Sequence, residues 1–160
     1  MHFGAIVRRV FLLMLAGISA VALAAPWPYD EAADAKADVQ RALASAAANH
    51  KPVLVIFGAN WCQDCRVLDR VLQKGQGAEL IASAFNVVKV DVGNFNRNLK
   101  LAAAYGNPIR KGIPAVVVVS EENTVLYTTK AGELANAGLM SSNAILEFFK
   151  RASQGAAQSK

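Results

Sequence analysis

An unbroken run of five apolar residues, Val53 to Phe57, constrains the fold of this chain more than any other feature. β-Branched and aromatic side chains dominate the run, and a strand built from them is apolar on both of its faces. Such a strand has to be covered on both sides, as happens in sheets flanked by helices. Asn86–Asp91 and Ala115–Ser120 have a similar character and predict two further strands.

Segments with apolar residues at helical spacing alternate with these strands. A fourth strand, Val125–Thr129, follows the third after a turn, so the chain contains a βαβ unit and then a hairpin. We therefore predict an α/β fold with a central mixed β-sheet and helices on both faces. The predicted helices are Asp30–Asn49, Cys62–Lys74 with a stop at Gly75–Gly77, Ala78–Ala84, one that starts within Asn94–Asn98 and ends near Tyr105, and a last one capped by Ser141 or Ser142 that buries Ile145, Leu146, Phe148 and Phe149.

The N-terminus differs in kind from the rest of the chain. Arg8 and Arg9 precede an apolar run that reaches Leu23 and ends in small residues, which is the order of a secretory signal peptide. We expect cleavage after Ala24 and a periplasmic mature protein, with either general or twin-arginine export. A retained membrane anchor is the alternative, but the apolar run is shorter than the roughly 20 residues that cross a bilayer.

The remaining chain is expected to form one domain. Residues 25–50 would form an N-terminal arm and helix, 51–152 the main domain and 153–160 a flexible tail. The whole chain carries a formal net charge of +5, and removal of residues 1–24 would leave +3. The basic residues are scattered, which argues against a nucleic-acid-binding surface.

The two cysteines, Cys62 and Cys65, are separated by Gln63 and Asp64. A disulfide between them closes too short a loop to stabilise the fold much, so a chemical role is favoured. Cys62 falls at the predicted start of a helix, where unpaired N–H groups and the helix dipole favour the thiolate that attacks disulfides. Cys65, one turn further on, could then resolve the mixed disulfide.

The pair has three other interpretations. A zinc site needs about four ligands, and besides the cysteines only His50 is available in the expected mature chain. Haem attachment needs a histidine after the second cysteine, where Arg66 stands. A redox-idle disulfide remains open, since an oxidising compartment would close any such pair.

Several segments in the same order resemble the thioredoxin family over Lys51–Ala152, and most of all its exported thiol:disulfide interchange branch. This resemblance implies a thioredoxin fold and a thiol:disulfide oxidoreductase. The segments are Val53–Phe57, Gly58–Arg66, Lys89–Asp91, Tyr105–Gly106, Gly112–Pro114 and Gly132.

The resemblance also implies roles for single residues. Pro114 would follow a cis peptide bond and pack against the cysteines, and the Ile113 backbone would pair with an extended substrate. Trp61 would form a partly exposed aromatic wall beside Cys62, and Gly132 would let a substrate chain approach closely. The alternatives are a trans proline that starts a strand, a packed tryptophan and an ordinary loop glycine.

Two positions depart from the family pattern. Ile56 stands where thioredoxins usually carry a buried acid, so either resolution by Cys65 is slower or Asp64, Lys89 or a water has to help remove the Cys65 proton. Asp64 beside Cys62 opposes the helix dipole, and with Gln63 it predicts a reductant or isomerase more than a strong oxidant. Lys89 and Asp91 otherwise read as solvated charges at a strand end, and Asn94–Asn98 as a helix-start cluster.

The sequence thus predicts a catalyst in which Cys62 attacks and Cys65 resolves. The alternative is a binding or chaperone module whose disulfide stays closed. We expect no cofactor besides the redox-active disulfide, no metal, and no nucleic-acid or membrane partner once the signal is removed. The expected partners are protein thiols or disulfides and an upstream thiol electron donor, since no flavin or nicotinamide fingerprint is present, and the protein is expected to be a monomer.

Overall fold

A computed structural model describes residues 27–158 of the chain. The predicted signal peptide therefore lies outside the described residues. The helices are α1 (Ala35–Asn49), α2 (Gln63–Leu72), α3 (Gly75–Ala84), α4 (Leu99–Ala104) and α5 (Ser142–Gln158), the strands are β1 (Val53–Gly58), β2 (Asn86–Asp91), β3 (Ala115–Val119) and β4 (Val125–Thr128), and two short 3-10 helices cover Pro108–Lys111 and Ala137–Leu139.

The four strands form one mixed sheet in the order β2-β1-β3-β4. β1 pairs parallel with β2 and antiparallel with β3, and β3 pairs antiparallel with β4. The predicted βαβ unit followed by a hairpin is therefore confirmed. β1 is central, and its carboxyl end leads directly to the cysteine pair.

Both faces of β1 are buried, as its apolar run predicts. Val53, Val55 and Phe57 point into one core with α1 and α4. Leu54 and Ile56 point into the other with α2, α3 and α5. This two-sided packing fixes the position of the strand end that carries the site.

Several helix boundaries differ from the predictions. α1 begins at Ala35 because the Asp34 side chain accepts a hydrogen bond from the Ala37 N–H and caps the helix. Gly75–Gly77 does not end a helix: α3 starts at Gly75, and a Cβ on Gly77 would collide with the Val71 carbonyl of α2. Gly77 therefore allows α3 to pack closely on α2.

The C-terminal end also differs from the prediction. α5 continues to Gln158, whereas a tail was predicted from residue 153. Alanine and glutamine in this stretch favour helix and outweigh the single Gly155. Ser141 rather than Ser142 provides the cap, since its hydroxyl accepts from the Ala144 N–H, and Ile145, Leu146, Phe148 and Phe149 are buried as predicted.

Candidate functional site

Cys62 and Cys65 form a disulfide at the start of α2, with their Cα atoms 5.2 Å apart. Cys62 is the N-cap residue, and its Sγ accepts a hydrogen bond of 3.1 Å from the Cys65 backbone N–H. Cys62 keeps 5% of its surface exposed and Cys65 keeps none. Of the two sulfurs, the one that can meet a partner is therefore that of Cys62.

The position of Cys62 favours its thiolate. The first backbone N–H groups of a helix lack partners within the helix, so they donate to whatever lies at the cap. Here the cap atom is the Cys62 sulfur itself. When the disulfide is reduced, a negative charge on this sulfur would be stabilised by the Cys65 N–H and by the helix dipole.

The Ile113–Pro114 peptide bond is cis, as the resemblance implied. The Ile113 carbonyl oxygen lies 3.7 Å from the Cys62 Sγ. The loop before β3 and the start of α2 thus meet at the disulfide. Pairing of the Ile113 backbone with a substrate stays a prediction.

Trp61 is 55% exposed, so it is not an ordinary packed tryptophan. Its Nε1 donates a hydrogen bond of 2.9 Å to the Gly93 carbonyl. Its ring centroid lies 6.2 Å from that of Phe95, which is 42% exposed. Trp61 therefore has a second partly exposed aromatic ring as its neighbour, and sequence reasoning missed Phe95 because nothing in its local pattern links it to Trp61. An aromatic wall beside Cys62 stays a prediction.

Gly132 lies in the loop after β4 and has a φ of +78°. A Cβ at this position would be 2.8 Å from the Lys111 carbonyl oxygen. Turn geometry and a close backbone contact with the 3-10 helix Pro108–Lys111 are sufficient reasons for glycine here. Close approach of a substrate at Gly132 stays a prediction.

The two residues between the cysteines have different surroundings. Gln63 is exposed. The Asp64 Oδ1 accepts a hydrogen bond of 2.7 Å from the Gly138 N–H, in the second 3-10 helix. Asp64 therefore connects the first turn of α2 to the segment before α5, a contact that the sequence did not reveal.

The region around Ile56 contains a different acid. Ile56 is buried and lines a cavity of about 180 Å³ together with Leu68, Asp69, Lys89 and Tyr29. Asp69 pairs with Lys89, and their side chains are only 14% and 29% exposed. Asp69 stands four residues after Cys65 and so on the same side of α2, a spacing that could have revealed it from the sequence.

The interpretation of Lys89 and Asp91 as solvated charges is wrong. Lys89 is paired with Asp69, and Asp91 is only 4% exposed. The Asp91 Oδ2 accepts hydrogen bonds from Arg97 Nη1 (3.0 Å) and from the Gly93 N–H (3.1 Å), which compensate its burial. These hydrogen bonds hold the turn that carries the partner of Trp61.

The Asn94–Asn98 cluster does lie at the start of α4, with Asn98 in the N-cap position. The Asn98 side chain does not cap the helix, however. Its Nδ2 instead donates to the Asp91 carbonyl, at 2.7 Å. The cluster therefore helps to fix the end of β2.

Within residues 27–158, no group of three or more histidine, cysteine or acidic side chains is arranged to hold a metal ion. None of the helices in this part of the chain is both long and apolar enough to cross a membrane.

Comparison with known proteins places these features in context. Residues 34–120 match the model of a thioredoxin-like family. The crystal structure of a disulphide isomerase from Xylella fastidiosa Temecula1 is 56% identical, with a TM-score of 0.79 over 81% of this chain and 99% of that chain. A thioredoxin from Buchnera aphidicola subsp. Schizaphis graminum is 31% identical over 83 residues, which are 52% of this chain and 68% of that protein.

A more distant structure has the same fold. The C-terminal domain of Neisseria meningitidis DsbD in its oxidised form is 20% identical, with a TM-score of 0.50 over 72% of this chain and 94% of that chain. At this identity the likeness concerns the fold alone.

Proposed function

Because the chain belongs to the thioredoxin-like family and carries its Cys-x-x-Cys pair as a disulfide, we propose that it is a periplasmic thiol:disulfide oxidoreductase. Cys62 is the attacking thiol and Cys65 the resolving thiol. The substrates are protein or small-molecule disulfides, and the protein reduces or isomerises them more readily than it oxidises thiols.

One observation carries this proposal: the Cys62 sulfur caps α2, accepts the Cys65 N–H and lies 3.7 Å from the Ile113 carbonyl oxygen. A thiolate held there can attack a substrate disulfide and form a mixed disulfide, and one substrate sulfur leaves as a thiolate. Cys65, after losing its proton, attacks the Cys62 sulfur and releases the second substrate thiolate. The substrate gains two electrons and two protons, and the protein returns to its disulfide form.

The direction of exchange rests on Asp64. An ionised acid in the first turn of α2 stabilises the helix but repels a thiolate at the cap. A less stable Cys62 thiolate shifts the equilibrium towards the disulfide and makes the dithiol a better reductant. The relative from Xylella fastidiosa, named a disulphide isomerase, supports an activity of this kind.

The periplasmic location rests on the signal peptide predicted from the sequence. Reducing equivalents would come from an upstream thiol protein, and no further cofactor is part of the proposal. In the oxidising periplasm, the disulfide form of the protein is the one that an electron donor would reduce.

Reduction of insulin disulfides tests the proposal. The reduced wild type should reduce insulin, and both Cys62→Ser and Cys65→Ser should abolish turnover. Cys65→Ser should also accumulate a mixed disulfide with substrate on Cys62, whereas Cys62→Ser should not. A wild type that does not reduce insulin but suppresses its aggregation would contradict the proposal and favour a binding module with a closed disulfide.

A further inference from the structure

We propose that the segment 27–33, here called the N-terminal arm, positions the redox site. Its hydrogen bonds reach the turn that carries Trp61 and Cys62 by two routes, and its tyrosine closes the cavity beside α2. This inference rests on the proposed function. The arm precedes α1 and lies outside residues 34–120, which the family model matches.

Asn60 makes the first connection. Its Oδ1 accepts from the Tyr29 N–H at 3.0 Å, and its Nδ2 donates to the Tyr29 carbonyl at 2.9 Å. The same Nδ2 lies 3.1 Å from the Glu31 Oε1. One side chain therefore satisfies both backbone groups of an arm residue, in the manner of a strand pairing. Asn60 directly precedes Trp61, so any movement of the arm is transmitted to the cysteine turn.

The backbone of Asn60 is fixed as well. Its carbonyl oxygen accepts a hydrogen bond of 2.6 Å from Arg66 Nη1, on the first turns of α2. The Cys62 N–H donates to the Ala59 carbonyl at 3.2 Å. The turn before α2 is thus held by α2 on one side and by the arm on the other.

Glu31 makes the second connection. Arg97 Nη1 lies 3.3 Å from the Glu31 Oε2 and 3.0 Å from the Oδ2 of the buried Asp91. Asp91 also holds the Gly93 N–H, and the Gly93 carbonyl accepts the Trp61 indole. The arm therefore reaches Trp61 by a second route, through the end of β2.

Tyr29 makes the third connection, through its ring. The phenol is 4% exposed and occupies the space where a side chain at position 58 would stand, because a Cβ on Gly58 would overlap its hydroxyl. The ring closes the cavity that contains Ile56 and the Asp69–Lys89 pair. Burial first, and then the charges of Asp69 and Asp91, raise the pKa of Tyr29, so the phenol stays neutral beside these carboxylates.

These contacts predict a specific effect on reactivity. Thiolate stabilisation at a helix cap requires the sulfur to stay aligned with the N–H groups. Loss of the Asn60 side chain frees the turn, and the pKa of Cys62 should rise. A rise of about half to one pKa unit would lower the thiolate fraction at neutral pH by about three- to tenfold.

The test compares two variants that lose hydrogen bonds of similar kind. Asn60→Ala removes the connection to the arm but keeps the backbone carbonyl that Arg66 uses. Asp34→Ala removes the cap of α1, close in sequence to the arm but without a contact to Asn60. Each reduced protein is alkylated with iodoacetamide as a function of pH, with mass spectrometric mapping of the Cys62 adduct, and its resistance to urea is measured in parallel.

The proposal expects Asn60→Ala to shift the alkylation midpoint of Cys62 upward and to slow the reaction about three- to tenfold at pH 7, while Asp34→Ala stays within about twofold of wild type. If Asn60→Ala does not fold, Asn60→Ser serves instead, since its short side chain cannot bridge both backbone groups of Tyr29 and adds no charge near Cys62. Wild-type profiles in the folded Asn60 variant would overturn the proposal and reduce the arm to a source of stability. Alkylation does not require a substrate disulfide, so failure of insulin reduction would count against the proposed function alone.

Discussion

Gly58→Ala tests the packing of Tyr29 on the end of β1. Gly58 lies in a strand and has no positive φ, so no conformational rule demands glycine there, and the three atoms nearest to an added methyl group all belong to the phenol of Tyr29. Adding a methyl group to a filled core costs about 1 to 3 kcal/mol. Expulsion of the ring would cost about 3 to 5 kcal/mol, as for truncation of a buried aromatic residue. Reduced freedom of the unfolded chain returns about 0.4 to 1 kcal/mol.

We therefore expect Gly58→Ala to lower the free energy of unfolding by up to about 2.5 kcal/mol, the steric cost less the unfolded-chain gain. Urea denaturation of the oxidised protein measures this change as a shift in midpoint at constant slope. The matched background is Tyr29→Leu, which fills the core but lacks the Oη, Cζ and Cε2 atoms that the new methyl group would meet. In that background Gly58→Ala should be neutral or slightly stabilising.

The difference between the two backgrounds is the coupling energy, expected at about 1 to 3 kcal/mol because the unfolded-chain gain is common to both and cancels. Gly155→Ala provides a control, since a Cβ at that helical position meets nothing within 4 Å. It should stabilise the protein or leave it unchanged. An equal cost of Gly58→Ala with and without the tyrosine would refute the packing argument, because the cost would then come from the strand and not from the ring.

Three further predictions concern charge. The pKa of Tyr29 is higher in the folded protein than its value of 10.0 in the unfolded chain. The neutral phenol therefore contributes fully to stability below pH 10, and this contribution is lost as the pH rises above 10. The urea midpoint of the wild type should fall above pH 10 more steeply than that of Tyr29→Phe. Partial burial raises the pKa of Glu133, but hydrogen bonds from the backbone N–H groups of residues 130–133 outweigh this effect and hold the pKa below the ordinary 4.5. The wild type should therefore lose stability as the pH falls below 4.5, and Glu133→Gln should lose less. Unfolding curves at pH 3 to 6 would show this difference. Asp64→Asn removes the charge near Cys62 but keeps an acceptor for the Gly138 N–H, so its redox potential in glutathione buffers should rise by about 10 to 30 mV, and an unchanged or lower potential would contradict the role given to Asp64.

The sequence predicted the sheet because its signals are local. The apolar run at β1 and the equally apolar β3 specify buried strands without reference to any distant residue. The cysteine pair was predicted equally well, because its spacing and its position after β1 indicate that both sulfurs meet at the start of a helix. Local signals of this kind survive tertiary packing because packing reinforces them.

The surroundings of the site could not be read in the same way. Asn60 pairs with Tyr29 across 31 residues, and Asp64 pairs with Gly138 across 74. Short-range patterns carry no information on such contacts. One hint was present, because glycine at the end of a buried strand often marks a close approach of another group, and at Gly58 that group is the ring of Tyr29.

Helix ends were predicted less well for a related reason. Glycine often ends a helix, and Gly77 was therefore predicted to do so. In the structure its missing side chain instead allows α3 to contact the backbone of α2. The same residue type serves a turn in one place and a helix contact in another. The role of a given glycine depends on which helix or strand packs against it, and a local sequence pattern does not identify that helix or strand.

Competitive alkylation of the fully reduced wild type at pH 7 is the most direct test of the central claim, that the sulfur capping α2 is the reactive one. With less than one equivalent of iodoacetamide, peptide mapping should find the label on Cys62 and almost none on Cys65, with a reaction midpoint below the pKa of about 8.5 of a free cysteine. Equal labelling of the two residues, or a midpoint at or above that of a free thiol, would contradict the account.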